Sequence, residues 1–418
     1  MRVLWVAPNG GLYKQNVIKG TGGWIGTVQK GIMQLIPDLE LGIVFKSQEN
    51  GHLKESSVSY YPVSYHQGSL VSKVANNLLQ SEIKREKSIV EKYLDVIKSF
   101  NPDLVHVWGL EDPTHAMLVS KIEIPCVVHI QGLTSFIIHT YCPPFFSKFD
   151  LKLADWVSPR AVFNKLLGKG IYSTYKNYCY RAEMELKYGA CVKNWIGRTE
   201  WDKTASQMLS PGSRYFHGDE IMRDDFSTHQ WQYHYNGVLN IQSNLSADWY
   251  KGLDIVLRTA DIMKKRGYKF VWNIYGVYKD ETVVKYMQFK TRIKPSDVSV
   301  VFHGKVPGDV ICDSLLSSDV FVHTSYIENS SNAVAEAMQL GLPVIVQNVG
   351  GLSSLLVNNS GVLVPVNEPY ILAYNIMKMQ KREVAEDYSR KAIMVSKSRG
   401  DSEKTIRSLI NIYGEVIK

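Results

Sequence analysis

Short apolar segments that read as strands alternate with segments of helical period along this chain, and the alternation runs twice. In the first half, "RVLWVAP", "LGIVF", "PDLVHVWG" and "IPCVVHIQG" are strand-like, and "DPTHAMLVSKI" reads as a helix between the last two. In the second half, from Gly237, the strands are "VLNIQS", "FVWNIYG", "VSVVFHG", "DVFVHT", "LPVIVQ" and "GVLVPV". Between the first two lies "KGLDIVLRTADIMKKRG", whose Leu253, Val256, Leu257, Ala260 and Met263 share one helical face. Strands alternating with helices imply parallel sheets of Rossmann type. The chain has 418 residues, more than one core normally serves. The pattern predicts an α/β protein: a Rossmann-like domain over 1–225, a linker over 226–236, a second Rossmann-like domain over 237–395, and helices over 396–418 packing back toward the first domain. Two such domains of similar size should face each other across a cleft, where folds of this kind bind ligands. Leu133 to Lys187 breaks the rhythm and reads as loop and helices inserted into the first domain.

Composition excludes several classes. Hydrophobic residues make up 45% and charged residues 21%, as in a soluble globular protein. No apolar run reaches the ~18 residues of a membrane-spanning helix, and "MRVLWVAPNG" lacks the apolar core and cleavage site of a signal peptide. The five cysteines are odd in number and show no CxxC spacing, so a reduced, cytoplasmic chain without a cysteine metal site is expected. A net charge of +8 suits an acidic partner but is too small to imply nucleic acid.

The stretch "YIENSSNAVAEAMQLGLPVIVQNVGG" runs from Tyr326 to Gly351 and carries the chemistry. It follows a strand and reads as turn, helix, Gly-x-Pro break, strand and double glycine. Ser330 or Ser331 would cap the helix, whose N-terminus is then an anion site at the strand edge, lined by Asn329, Ser330, Ser331 and Asn332. Glu328 stands beside that site. Glu336 lies two turns along in an otherwise apolar run, where an unpaired carboxylate is costly. Carboxylates beside a phosphate site cannot hold the phosphate, but they can accept hydrogen bonds from sugar hydroxyls. A phosphate with two sugar-like rings is a nucleotide sugar.

In these residues the sequence resembles the retaining GT-B glycosyltransferases of family 4. Their motif S-x-x-E-x7-E-A-M-x-x-G-x-P-V is matched by Ser325, Glu328, Glu336, Ala337, Met338, Gly341, Pro343 and Val344. The resemblance implies a GT-B architecture. It implies that Glu328 contacts the donor sugar and Glu336 the nucleotide ribose, and that Lys251 of "YKGLD" pairs with the diphosphate. By the same resemblance, the strand-end glycines Gly276 and Gly304 frame the nucleobase, and Gly22 and Gly23 of "GTGGW" let backbone approach a phosphate or acceptor. "HVWGLE", "GRTEWD" and "GDEIMRDDF" are similar to a bacterial subgroup that builds surface polysaccharides.

Two departures matter. The family usually places an arginine a few residues before the lysine, where this chain has Ser243 and Asn244 as neutral donors. A strand-end histidine of many relatives falls on Gln131 here, with His129 two residues earlier on the same face; either could reach the sugar. His129 and His106 equally fit packed, hydrogen-bonded core histidines. Glu111, Arg198 and Glu220 near strand ends could line the acceptor side or be local ion pairs. Lys251 at a helix start opposes the helix dipole, a conflict that a bound diphosphate would remove.

The expected reaction is glycosyl transfer from a nucleoside diphosphate sugar to a glycan or lipid-linked acceptor, with retention and by same-face displacement, since no nucleophile is evident. No Asp-x-Asp stands at a strand end of the second domain, so neither metal nor cofactor is expected. A nucleotide-sugar epimerase and a non-enzymatic two-domain sugar-binding protein are the alternatives; a glycosidase would leave the phosphate-binding features without a purpose. Between Lys148 and Lys187, eight Lys and Arg face four Asp and Glu, interleaved with aromatics. That pattern fits reversible docking on the inner membrane face, and equally a packed insert with solvated lysines.

Overall fold

The computed structural model describes residues 1–14, 23–65, 79–223 and 226–418. By contacts the chain divides into two compact units, one of residues 1–138, 176–221 and 401–418, the other of residues 139–175 and 222–400.

The first unit is built on an eight-stranded sheet: β1 (Arg2–Val6), β2 (Glu40–Ser47), β3 (Leu53–Glu55), β4 (Val58–Ser64), β5 (Leu104–Trp108), β6 (Cys126–His129), β7 (Asn194–Gly197) and β8 (Arg214–His217), in the order β3-β4-β2-β1-β5-β6-β7-β8. All pairs are parallel except β3 with β4. The central strands are buried on both faces, so they read as unbroken apolar runs rather than alternating ones. Helices α1 (Gly23–Leu35), α2 (Leu79–Phe100), α3 (Pro113–Val119), α4 (Thr134–Thr140), α5 (Lys148–Ala154), α6 (Pro159–Leu166), α7 (Ile171–Gly189) and α8 (Glu200–Leu209) occur in the first half of the chain. The C-terminal helix Ser402–Ile417 belongs to this unit and buries Ile406, Leu409, Ile412 and Tyr413 with residues of β1 and α1. Arg382–Arg399 is one continuous helix of the second unit, so the return begins at Asp401 rather than at 396.

The second unit has a six-stranded, wholly parallel sheet, β11-β10-β9-β12-β13-β14, of β9 (Leu239–Asn244), β10 (Phe270–Tyr275), β11 (Val300–Gly304), β12 (Val320–His323), β13 (Val344–Gln347) and β14 (Val362–Val364). Its helices include α9 (Leu253–Lys265), α10 (Thr282–Thr291), α11 (Gly308–Leu316) and α12 (Asn332–Leu340). The five expected apolar positions of α9 are all buried.

Two assignments made from sequence differ from the observed packing. Residues 139–175 group with the second unit instead of being an insert of the first. The reason is a specific anchor: Asp150 of α5 accepts from Tyr286 Oη at 2.6 Å and Lys290 Nζ at 2.7 Å, both on α10. Burial pushes the Asp150 carboxyl up, but Lys290, Tyr286 and Ser147 outweigh it and hold it well below the usual carboxylate range. Phe146 packs edge-on against Trp249 with centroids 5.3 Å apart. The segment 226–236 is not a free linker either. Phe226 and Trp231 are core residues, and the Trp231 indole N–H donates to the Ser318 carbonyl at 2.7 Å. A polar, period-free sequence concealed two large anchoring rings.

Candidate functional site

In the second unit, β12 delivers the chain to a turn that ends at the Ser331 cap of α12, where Ser331 Oγ accepts from Val334 N at 3.4 Å. Several contacts fix this turn. Gly252, in the left-handed region at φ +75°, lies so close that a β-carbon would strike the Thr324 carbonyl oxygen. Gly350, at φ +50°, would likewise strike the Glu328 carbonyl, which accepts from Gly351 N at 3.0 Å. This explains the double glycine: it lets backbone close over Glu328. Tyr326 Oη donates to the fully buried Asp254 at 2.8 Å. Burial raises the Asp254 carboxyl to about 6 against the opposing pull of Tyr326 and Arg258.

The turn places Glu328 under two cations or donors. Lys251 Nζ lies 2.7 Å from Glu328 Oε2 and His323 Nε2 lies 3.5 Å from the same oxygen. Burial pushes the Glu328 carboxyl up, but Lys251 and then His323 more than offset it, and the group sits at about 2. It is a carboxylate at any physiological pH. Glu336, on α12, receives Arg223 at 2.6 Å from Nη2 and 3.1 Å from Nε, both to Oε1. Burial still raises its carboxyl above the usual value despite Arg223. The first turn of α12 carries no acidic side chain, so its positive end remains suited to an anion. Asn329, Ser331 and Asn332 all stand at this end, Asn329 and Ser331 buried, with Ser330 between them.

Gly276 and Gly304 end β10 and β11 at φ +89° and +69°, where β-carbons would meet the Leu245 carbonyl and the Tyr278 ring. Asn244 ends β9 and accepts from Gln242 at 3.0 Å. Ser243 departs from the expected donor role. It is fully buried, with Oγ donating to the Val322 carbonyl at 2.5 Å and accepting from the Trp272 indole at 3.0 Å. Its hydroxyl is spent on the sheet.

In the first unit, Gln131 and His129 separate. His129 is buried and stacks on Trp108 at 4.9 Å and His106 at 5.4 Å, with Trp24 edge-on at 5.1 Å. Burial, then His106 and Arg198, keep it neutral. His106 Nδ1 pairs with Tyr413 Oη at 2.6 Å, and burial lowers its imidazole to about 3. Both histidines are buried in this aromatic stack, and neither ring nitrogen of His129 has a hydrogen-bond partner among the described residues. Gln131 instead lines a cavity of 560 Å³ together with Glu111, while its Oε1 accepts from the Trp24 indole at 3.0 Å. Burial, with Glu185 adding, raises the Glu111 carboxyl to about 8. Arg198 is buried with its guanidinium 4.5 Å from the Trp24 ring centre, and Glu220 is buried near the end of β8. Gly23 opens α1; Gly22 lies outside the described residues.

His323 and Arg223 are the residues that sequence reasoning missed. His323 had a signal, as a polar residue closing a buried strand beside the motif. Arg223 had none, since 113 positions separate it from Glu336. Among the described residues, no three His, Cys, Asp or Glu side chains converge as a metal-binding group.

Comparison with known proteins places this geometry. Residues 238–382 match the family described as glycosyl transferases group 1. A Bacillus subtilis protein named as a teichuronic acid biosynthesis glycosyltransferase is 33% identical over 120 residues, 28% of this chain and 30% of that protein. The chain thus spans about a third of the length of this relative. Over nearly the full chain, the fold is similar to that of sucrose-phosphate synthase from Thermosynechococcus elongatus, with a TM-score of 0.71 at 11% identity over 99% of this chain and 98% of that one. Anabaena HepE, solved with UDP and glucose, gives 0.61 at 14% identity and 99% coverage of both chains. The architecture is therefore GT-B, two Rossmann-like domains with parallel sheets.

Proposed function

We propose that this chain is a retaining glycosyltransferase that moves a sugar from a nucleoside diphosphate sugar to a glycan or lipid-linked acceptor in bacterial surface polysaccharide synthesis. The observation that carries the reading is the Lys251–Glu328–His323 cluster at the N-terminal end of α12, with Glu336 two turns on. The group 1 match over 238–382 and the relative named for teichuronic acid biosynthesis support it. HepE, solved with UDP and glucose on the same fold, supports a nucleotide-sugar donor.

In this reading Lys251 and the α12 N-terminus stabilise the diphosphate as it leaves, and electrostatic preorganisation supplies most of the rate. Glu328 accepts hydrogen bonds from the transferred sugar, and Glu336 from the ribose. Arg223, bound to Glu336, serves as the second cation that Ser243 and Asn244 cannot be. The bond from the anomeric carbon to the diphosphate oxygen breaks. The acceptor oxygen bonds to the same face of that carbon, and its proton passes to the leaving diphosphate. Gln131, at the cavity of the first unit, stands on the acceptor side.

No helix among the described residues is long and apolar enough to cross a membrane. Phe149, Trp156, Phe163 and Leu166 of the α5–α6 region are each 60% or more exposed, with Lys165 Nζ 3.6 Å from the Trp156 ring centre. They fit peripheral docking on the inner membrane face. Tyr141, Phe146, Tyr175 and Tyr180, from the same stretch of sequence, are core residues and have no part in it.

The test is thermal stability with UDP, GDP and their sugars, because a ligand that binds only the folded state raises it. It is followed by NMR of the anomeric product, with and without EDTA. The expected result is a rise with one nucleotide family and a retained anomeric configuration, at the same rate in chelator. No rise with any nucleotide would overturn the reading.

A further inference from the structure

The cavity of 560 Å³ in the first unit has the size of a small-ligand site. It lies at the carboxyl ends of β2, β5 and β6, marked by Lys46, Trp108 and Gln131, where parallel sheets place ligands. Helices α2 and α7 close it with Arg85 and Arg181.

Its charges are unevenly used. Lys46 is bound to Asp112 at 2.7 Å, and Asp112 also accepts from Thr114 N at 2.9 Å, so that pair is spent. Glu86 receives the hydroxyl of Tyr180. Arg85 and Arg181 are half-buried and among the described residues neither has a hydrogen bond or an ion pair, though Arg181 lies 5.8 Å from the Tyr178 ring centre and its charge pulls against the upward shift of Glu111. The indole N–H of Trp108, a fully buried ring on the cavity wall, also lacks a partner among them. Glu111 beside them is protonated at neutral pH, because burial lifts it to about 8. Lys46 is thus matched by Asp112, while among the described residues Arg85 and Arg181 are matched by no carboxylate at hydrogen-bond distance. The excess charge lies on guanidiniums, whose planar forks match the two oxygens of a carboxylate or phosphate.

We infer that this cavity binds an acceptor sugar bearing an anionic group, a carboxylate or a phosphate ester, with Arg85 and Arg181 clamping the anion. Gln131 and protonated Glu111 would offer hydrogen bonds to the hydroxyls of the sugar ring. Taking the ligand as the acceptor rests on the glycosyltransferase reading; the binding of an anionic sugar does not.

Saturation-transfer NMR on the full chain tests it, with glucuronate, glucose 1-phosphate, glucose and inorganic phosphate as probes. Glucuronate or glucose 1-phosphate should bind at least tenfold more tightly than glucose, and which of the two binds better tells carboxylate from phosphate ester. Either R85A or R181A should weaken the anionic probe at least tenfold, R181K should weaken it less than R181A, and affinity for UDP or GDP should not change. Equal binding of glucose, unchanged binding in both alanine variants, or phosphate alone binding as well as its sugar ester would each overturn the inference. Should R181A fold poorly by its melting temperature, R85A and R181K decide. Anionic sugars binding while no nucleotide does would leave this site standing and sink the function proposed above.

Discussion

The carboxyl edges of the two sheets handle charge in opposite ways. In the second unit the two carboxylates of the motif are matched by cations or donors: Glu328 with Lys251 and His323, Glu336 with Arg223. In the first unit His106 and His129 are depressed and Glu111 is raised, Lys46 and Asp112 pair with each other, and Arg85 and Arg181 have no carboxylate at hydrogen-bond distance among the described residues. Burial is the leading influence on Glu328, Glu336, His106, His129 and Glu111, and the sign of the outcome depends on whether an opposite charge stands within reach. An edge of pre-paired charge suits a ligand that brings both a diphosphate and hydroxyls, since it can exchange one partner for another. An edge of neutral groups and spare guanidiniums suits a ligand that brings an anion.

The largest effect should come from breaking the pairing in the second unit. Lys251→Ala should lower kcat at least ~100-fold, as for loss of one preorganised transition-state donor. It should also lower stability, because the Glu328 carboxylate is left with His323 as its one remaining partner among the described residues. Glu328→Gln keeps shape without the carboxylate charge, so turnover should fall with little loss of stability or nucleotide affinity. Kinetics with urea denaturation checks both; normal turnover in Lys251→Ala would break the comparison at its centre.

Arg223 and Glu336 sharpen it next. Glu336→Ala should weaken nucleoside and nucleoside diphosphate alike, by about 1.5–3 kcal/mol for a hydrogen bond to a charged group. Arg223→Ala should weaken the diphosphate and spare the nucleoside. Isothermal titration with uridine and UDP, or the guanosine pair, separates them, and equal losses in Arg223→Ala would assign it to the ribose instead.

In the first unit, the neutrality of Glu111 has a pH signature. Its folded pKa, about 8, lies above the ordinary 4.5, so between these values the folded chain holds a proton that the unfolded chain has released. Its contribution to stability is thus complete below 4.5 and is lost as pH rises toward 8. Glu111→Gln should flatten the fall in melting temperature between pH 5 and 8. A parallel decline in both proteins would place the proton elsewhere.

The smallest effect concerns charge outside both edges. Co-sedimentation with anionic vesicles should fall severalfold when Phe149 and Trp156 are changed to Ser, and again with salt, since each basic residue near such a surface gives only ~1 kcal/mol. No binding at low salt would leave a soluble acceptor.

Much of this was legible in the chain because it depends on local order. Buried parallel strands announce themselves as apolar runs, α9 by its apolar face, and the site by a serine cap at 330 or 331, Glu328, Glu336 and the double glycine at fixed spacing. What stayed hidden depends on partners distant in sequence. Asp150 meets Tyr286 and Lys290, drawing 139–175 into the second unit. Arg223 finds Glu336, supplying a cation where the local motif lacks one. Whether His129 or Gln131 is available was a matter of burial alone: two residues on one face of a strand line read alike until Trp24, Trp108 and His106 enclose the first and leave the second at a cavity. Spacing sets which groups share a strand or helix face, whereas charge state and availability follow from desolvation and long-range contact, which only the folded chain supplies.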